Sequence, residues 1–215
     1  MIYLEETYDL VPASPATLDK LVALSGERLI KAYSALGARL IAAWYSDTQQ
    51  FHQVTHVYEL DSLSAFDEFR KKAAKDPSFG ECQNLLDELA PLRQTRLLEP
   101  LTPVWAEIFR KAAAESQKAP LGTYFLAVLE TLPGKFKELT AGLEAGPPGA
   151  GTIVASLRPI TGKSNMLIDV WKSSLAQPGY QPAGDAMKDF FLRLRELAPK
   201  ERLEHVFTLP YSPLR

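Results

Sequence analysis

A chain of 215 residues holds one large domain or two small ones of roughly 100–150 residues each. Its 46% hydrophobic and 23% charged residues are the proportions of a globular protein with a core. A net charge of −2, with Lys and Arg spread along the chain, excludes the concentrated basic stripe that nucleic-acid binding needs.

Ile2 to Leu10 is rich in β-branched and aromatic residues and reads as a strand ended by Pro12. Its opening, Met1-Ile2-Tyr3-Leu4-Glu5-Glu6, places two acids where a signal peptide needs apolar residues. Ser14-Pro15 is an N-cap followed by proline at the first helical position. Leu18, Leu21, Val22, Leu29 and Tyr33 fall on one face of the amphipathic helix that follows. Leu36-Gly37 ends it. Arg39 to Tyr45 and Phe51 to Leu60 read as two strands joined by the polar turn Ser46-Asp47-Thr48-Gln49-Gln50.

Ser64-x-x-Asp67 resembles a capping box and opens a helix carrying Phe66, Phe69 and Ala73. Asp76-Pro77 breaks it, and Cys82, Leu85, Leu86 and Leu89 continue in a further helical stretch. Cys82 is the single cysteine, placed as a buried, inert thiol. A lone cysteine argues for a reducing compartment over a disulfide framework. No apolar run approaches the ~18 residues that cross a bilayer. The expected location is therefore cytoplasmic, without membrane insertion. Arg93 to Leu101 closes this half as a strand, giving the order β-α-β-β-α-β of a ferredoxin-like unit.

The second half repeats that order. Thr123 to Leu132 is a strand ending at Pro133, and Phe136, Leu139 and Leu143 mark a short helix broken by Gly146-Pro147-Pro148-Gly149. Thr152 to Ile160 and Met166 to Trp171 form a strand pair turning at Thr161-Gly162-Lys163-Ser164. Met187, Phe190, Phe191, Leu194 and Leu197 lie at helical spacing before the last strand, Glu204 to Leu209. Leu10-Val11-Pro12 matches Thr131-Leu132-Pro133, His56-Val57-Tyr58 matches Asp169-Val170-Trp171, and Pro100-Leu101-Thr102-Pro103 matches Pro210-Tyr211-Ser212-Pro213. The predicted organisation is a first repeat over 1–103, a linker helix over 104–118 and a second repeat over 119–215. A four-stranded sheet with helices on one face leaves the other bare. Apolar burial at roughly 25 cal/mol per Å² favours packing the two bare faces together. Strands such as Ile153-Val154-Ala155 and Met166-Leu167-Ile168 are apolar on both faces, as that packing requires.

Ile2-Tyr3 with Thr7-Tyr8, the Gly37 to Tyr45 segment, Gln53 to Leu63 and the Ala73 to Phe79 stretch with Asp76-Pro77 resemble NIPSNAP proteins. The resemblance is clearest over residues 1–101 and fainter over 120–213. It departs in strand one, where Leu4-Glu5-Glu6 replaces the family's acid–apolar–arginine order. The resemblance implies an α+β protein of tandem ferredoxin-like repeats whose antiparallel sheets form a dimeric-α/β-barrel-type assembly. It brings no settled reaction. The wider superfamily holds cofactor-free monooxygenases, haem enzymes, lactone-forming isomerases and ligand binders, and fold alone does not choose among them.

No complete catalytic motif is present. His52 and His56 lie about 13 Å apart on a strand at ~3.3 Å per residue, so they cannot share one metal ion. His56 reads as a structural or pocket-lining residue, and His205 as structural. Trp44, Tyr45, Tyr58 and Trp171 cluster on the central strands as core filler or a stacking surface. Asp169, between apolar neighbours at the position matching His56, is either a base of raised pKa or the partner of Arg158 across the hairpin; the ion pair is the expectation. Pro159-Ile160-Thr161-Gly162-Lys163-Ser164 ends like a phosphate loop, but Leu157 stands where its first glycine belongs and a strand follows, so it is a hairpin turn. Gly149-Ala150-Gly151 begins a dinucleotide fingerprint that fails at Val154. The ligand-binding candidates are His56, Tyr58, Trp44, Asp169, Arg158 and Trp171, with no metal and no cofactor. The function these residues imply is binding of a small hydrophobic or aromatic metabolite in a barrel pocket, with or without cofactor-free catalysis. The competing function is a non-catalytic interaction module using an exposed apolar patch around Trp105 and Phe109. A homodimer is the expected assembly, although two repeats also satisfy one barrel within a single chain.

Overall fold

The computed structural model describes residues 1–46, 53–144, 153–173 and 185–215, with the side chains at 185–188, 190 and 191 set aside. His52, the 47–50 turn, the 146–149 break and the 149–151 glycine pair lie outside the described residues, as do the side chains of Met187, Phe190 and Phe191. Eight strands close into one antiparallel barrel in the order β1-β3-β2-β8-β5-β7-β6-β4. The first half supplies β1 (Ile2–Asp9), β2 (Arg39–Ser46), β3 (Gln53–Leu60) and β4 (Leu92–Pro100). The second supplies β5 (Thr123–Glu130), β6 (Ile153–Pro159), β7 (Met166–Lys172) and β8 (Lys200–Thr208). Each set of four is a ferredoxin-like sheet, ordered 4-1-3-2. The two sheets meet edge to edge at Trp44 opposite Thr208 and Tyr45 opposite Phe207 on one seam, and at Leu98 opposite Pro159 through Pro100 opposite Leu157 on the other.

Helices coat the outside. α1 (Pro15–Leu24) starts where the Thr17 N–H donates to Ser14 Oγ, with Pro15 in the first turn. It continues through a widened π turn, Ser25–Leu29, into α2 (Ile30–Ala35). The next helix, α3 (Leu63–Ala73), is capped by Ser62, whose Oγ accepts from the Ala65 N–H; the expected Ser64 cap lies two residues too late, inside the first turn. α4 (Pro77–Leu89) begins with Asp76 accepting from the Phe79 N–H. Asp76-Pro77 therefore both ends one helix and starts another. α5 (Pro103–Ser116), α6 (Phe136–Ala141) and α7 (Asp185–Leu197) serve the second half.

Strand alternation sorts the side chains into three layers. On β1, Leu4 and Tyr8 join Leu21, Tyr33, Tyr58 and Leu86 between the first sheet and its helices. Tyr3 faces the barrel interior with Trp44, Val57, Leu98, Ile168 and Val170. Leu129, Ile153 and Leu167 pack outward under Trp105, Leu139 and Leu194. Cys82 is buried in the first of these layers.

One end of the barrel is plugged. Phe109 and Ala113 of α5 enter the interior core, where Phe109 meets the Tyr3 ring edge-on at 5.5 Å. Leu214 joins them, its N–H donating to the Ile41 carbonyl at 3.2 Å, and Tyr124 Oη donates to the Arg215 carbonyl at 2.8 Å. Glu59 accepts from Arg39 on β2 at 2.6 Å and from Arg110 on α5 at 2.8 and 3.0 Å, so one carboxylate ties the plug to the sheet. Trp105 and Phe109 are both 0% exposed, which removes the exposed patch proposed for an interaction module. The segment read as a linker is an integral part of the core.

Candidate functional site

Opposite the plug, the barrel interior opens into a cavity of about 360 Å³. Its floor is apolar: Trp44, Val57, Leu126, Leu157, Ile168 and Val170 line it from five strands. Its walls are polar, and the register explains why they meet. Glu5 stands directly opposite Arg96 on β4, and Thr7 opposite Thr55 on β3. On β8, Arg202 stands opposite Val128 and Glu204 opposite Leu126. All of these face inward because each strand alternates and the even or odd partners across the ladder share a face.

The Glu5–Arg96 pair is a direct ion pair within the wall. Arg96 Nη2 donates to both Glu5 oxygens at 2.6 and 2.9 Å. Burial lifts the Glu5 carboxyl above its ordinary range, Arg96 opposes the shift, and the Glu204 charge adds to it. The result is a carboxyl readier to hold a proton than a surface glutamate. The Arg96 Nε and the Trp44 indole N–H are buried without an acceptor.

The six residues named from sequence are not one site. Trp44 alone lines this cavity. His56 and Tyr58 are on the opposite face of β3, beneath the helices. There the neutral imidazole is fully engaged: Nδ1 with Tyr58 Oη at 3.0 Å and Nε2 with Tyr211 Oη at 2.7 Å. Burial pushes the His56 pKa down to about 3, so it is uncharged. Beside it Tyr58 stacks on Tyr33 at 4.2 Å, and Tyr33 and Tyr8 both donate to Glu6 Oε2 at 2.5 Å. Asp169 and Trp171 lie on the outward face of β7. Arg158 does not pair with Asp169: its Nε meets Glu99 on the neighbouring β4 at 2.7 Å, because Arg158 and Glu99 are registered across the β4–β6 seam. Asp169 is opposite Ser156, with Oδ1 unpartnered, and burial raises its pKa to about 7. Glu5, Arg96, Arg202 and Glu204 escaped the sequence reading. The i, i+2 spacing of Glu5 with Thr7, Gln94 with Arg96 and Arg202 with Glu204 was present, but polar residues such as Glu6, Thr95 and Glu201 beside them masked which face turns inward.

Among the described residues no cluster of three or more His, Cys, Asp or Glu is arranged to hold a metal ion. None of the described helices is long and apolar enough to cross a membrane.

Eight antiparallel strands from two ferredoxin-like sheets, with helices outside and a cavity within, define a dimeric-α/β-barrel-type protein. The NIPSNAP family model matches residues 3–103, so the first four-stranded sheet and its helices are similar to a NIPSNAP unit. No curated protein matches the chain. Among solved structures, a candidate monooxygenase from Fusobacterium nucleatum aligns over 97% of this chain and 92% of its own, at 10% identity and a TM-score of 0.64. A candidate monooxygenase from Lactobacillus acidophilus aligns over 96% and 93%, at 12% identity and a TM-score of 0.54. An uncharacterized NIPSNAP domain protein from Burkholderia xenovorans aligns over 46% of this chain and 94% of its own, at 17% identity and a TM-score of 0.41. For the Fusobacterium and Lactobacillus structures, at these identities, the likeness is one of fold.

Proposed function

We propose that the barrel binds a small, largely apolar metabolite, with an aromatic ring as the best-fitting body, in the cavity between its two sheets. One observation carries this reading. The interior is filled at the plugged end yet leaves about 360 Å³ at the other, with an apolar floor and convergent polar walls. A purely structural barrel has no need of a partly buried Glu5–Arg96 pair beside unfilled space. Trp44 remains a candidate ligand contact on the floor, whereas His56, Tyr58, Asp169, Arg158 and Trp171 support the walls from outside.

Catalysis without a cofactor is the finer form of this proposal. Glu5 is the group placed to exchange a proton with a bound ligand, and Arg96 the group placed to offset the resulting negative charge. The monooxygenase names attached to structural neighbours agree with such chemistry, and they belong to those proteins. Residues 1–103, 104–118 and 119–215 would then act as repeat, plug and repeat.

The test is calorimetric titration with a two-ring aromatic, 2-naphthoate, and with its neutral methyl ester. At least one of the two should bind saturably at one per chain. Leu126→Trp, which places a bulky ring on the cavity floor from a half-buried position, should abolish it. Binding that survives Leu126→Trp unchanged would place the ligand elsewhere and defeat the proposal.

A further inference from the structure

The rim of the same cavity carries a charge pattern that defines the ligand's head group. From floor to rim, β8 presents Glu204 opposite Leu126, Arg202 opposite Val128 and Lys200 opposite Glu130. A second, shallower hollow continues the cavity outward; Arg96, Thr161, Gly162 and Arg202 line both, and Lys163 and Lys200 line the outer one. Gly162 has φ +85°, the left-handed region that lets the β6–β7 turn fold tightly and bring Lys163 to this rim.

The carboxylates here are mostly taken. Glu5 is held by Arg96, Glu130 accepts from Lys163 at 2.8 Å, and Glu201 lies 3.6 Å from Arg195. Hydrogen bonding from Lys163 is the main reason the Glu130 carboxyl sits below its ordinary range, and the charges of Lys163, Lys200 and Arg202 add to it. Three cations thus converge on one carboxylate. Of the remaining lining charges, Lys200 and Arg202 are exposed and make no direct ion pair among the described residues; Lys200 stands opposite Glu130, which Lys163 already holds, and Glu204 lies one inward-facing position below Arg202. With Arg195 counted against Glu201, five cations (Arg96, Lys163, Arg195, Lys200 and Arg202) stand against four carboxylates (Glu5, Glu130, Glu201 and Glu204), an excess of one positive charge above an apolar floor.

We propose that the natural ligand is an amphiphilic monocarboxylate: its apolar body enters the barrel and its carboxylate stays at the rim between Arg202 and Lys200, facing Arg96. This rests on the cavity reading above and narrows it. Arginine offers the carboxylate a planar fork and lysine a point charge, which suits a single anionic head better than a neutral hydroxyl. Glu204, set below that head, selects against a second anionic group deeper in the cavity and accepts a hydrogen bond from a ligand hydroxyl there.

The experiment compares 2-naphthoate with methyl 2-naphthoate by calorimetry at low and high salt. The acid should bind about tenfold more tightly than the ester at low salt, and added salt should shrink that margin. The double variant Lys200→Met and Arg202→Met should lose the margin while keeping the ester's affinity and the thermal midpoint. Equal affinities for acid and ester, or a margin that survives the double variant, overturns the head-group assignment while leaving the cavity reading intact. Binding of neither compound overturns both.

Discussion

His56 on β3 and Asp169 on β7 occupy equivalent places in the two sheets, and only one of them is satisfied. His56 is opposite Glu6 on β1 and Ala43 on β2; Asp169 is opposite Ala127 on β5 and Ser156 on β6. Both are buried on the helix side of their sheet. The imidazole has a partner at each nitrogen, whereas Asp169 Oδ1 has none, and the neighbouring Ser156 hydroxyl lowers the carboxyl pKa without offsetting its burial. The duplicated fold has thus kept a polar residue at one position and solved its burial in two different ways.

The first prediction concerns Asp169. Its folded pKa is raised to about 7 from 3.8, so between those values the folded state binds the extra proton. Stability is full below pH ~4 and falls as pH rises toward ~7, by a few kcal/mol at most. Asp169→Asn keeps the shape and removes the charge. It should therefore raise the midpoint of urea unfolding at pH 8 and leave it nearly unchanged at pH 4. Parallel pH profiles for the two proteins would show that Asp169 ionises freely and that this burial account is wrong.

His56 gives the opposite slope. Its pKa is lowered to about 3 from 6.5, so the unfolded state binds more protons between those values. Its contribution is complete above pH ~6.5 and is lost as pH falls toward ~3. In the native protein the His56 imidazole signals should not titrate above pH ~4 by NMR; a midpoint near 6.5 would contradict the buried neutral assignment. His56→Leu strands the Tyr58 and Tyr211 hydroxyls. It should cost about 2–4 kcal/mol, more than a loss of packing of that size.

Much of the fold was legible in the sequence, and the site was not, for one physical reason. The repeat showed in Pro12 with Pro133 and in His56-Val57-Tyr58 with Asp169-Val170-Trp171, and turn residues fixed the strand order. Both faces of these strands are buried, however, one under helices and one in the barrel. Burial of Val57 and Tyr58 alike therefore gives no sign of which points inward. Polar residues set among aromatics drew attention to His56 and Asp169, which support the layer under the helices. The cavity wall instead uses Glu5 and Arg96, far apart in sequence and joined only by the β1–β4 register. The Leu4-Glu5-Glu6 departure from the family pattern was visible at the outset; its meaning needed the partner strand.

Glu59 offers a test of the plug. Burial acts to raise its pKa, but hydrogen bonds from Arg110 and Arg39 prevail and hold it below its ordinary range. That stability is present above pH ~4.5 and is lost as pH falls through the folded value. Glu59→Gln should cost about 1–2 kcal/mol at pH 7, a figure reduced because Arg39 and Arg110 are 64% and 44% exposed and can turn to water. The deficit should shrink as pH falls below ~4.5 and Glu59 takes up its proton. A deficit independent of pH would mean that shape, not charge, holds α5 at this end.

Phe109 tests whether α5 belongs to the barrel or merely lies against it. Its ring is fully buried among Tyr3, Leu214 and Val206, at the end of the interior opposite the cavity. Removing it deletes a large apolar surface and leaves a void that a closed barrel cannot collapse around, because eight hydrogen-bonded strands fix its radius. Phe109→Ala should therefore cost about 3–5 kcal/mol, and Phe109→Leu considerably less. In both variants calorimetric affinity for 2-naphthoate should change less than stability does, since the plug and the cavity occupy opposite ends. A Phe109→Ala protein that unfolds at the parent's midpoint would show that the helix is peripheral and that the barrel core ends at the sheets.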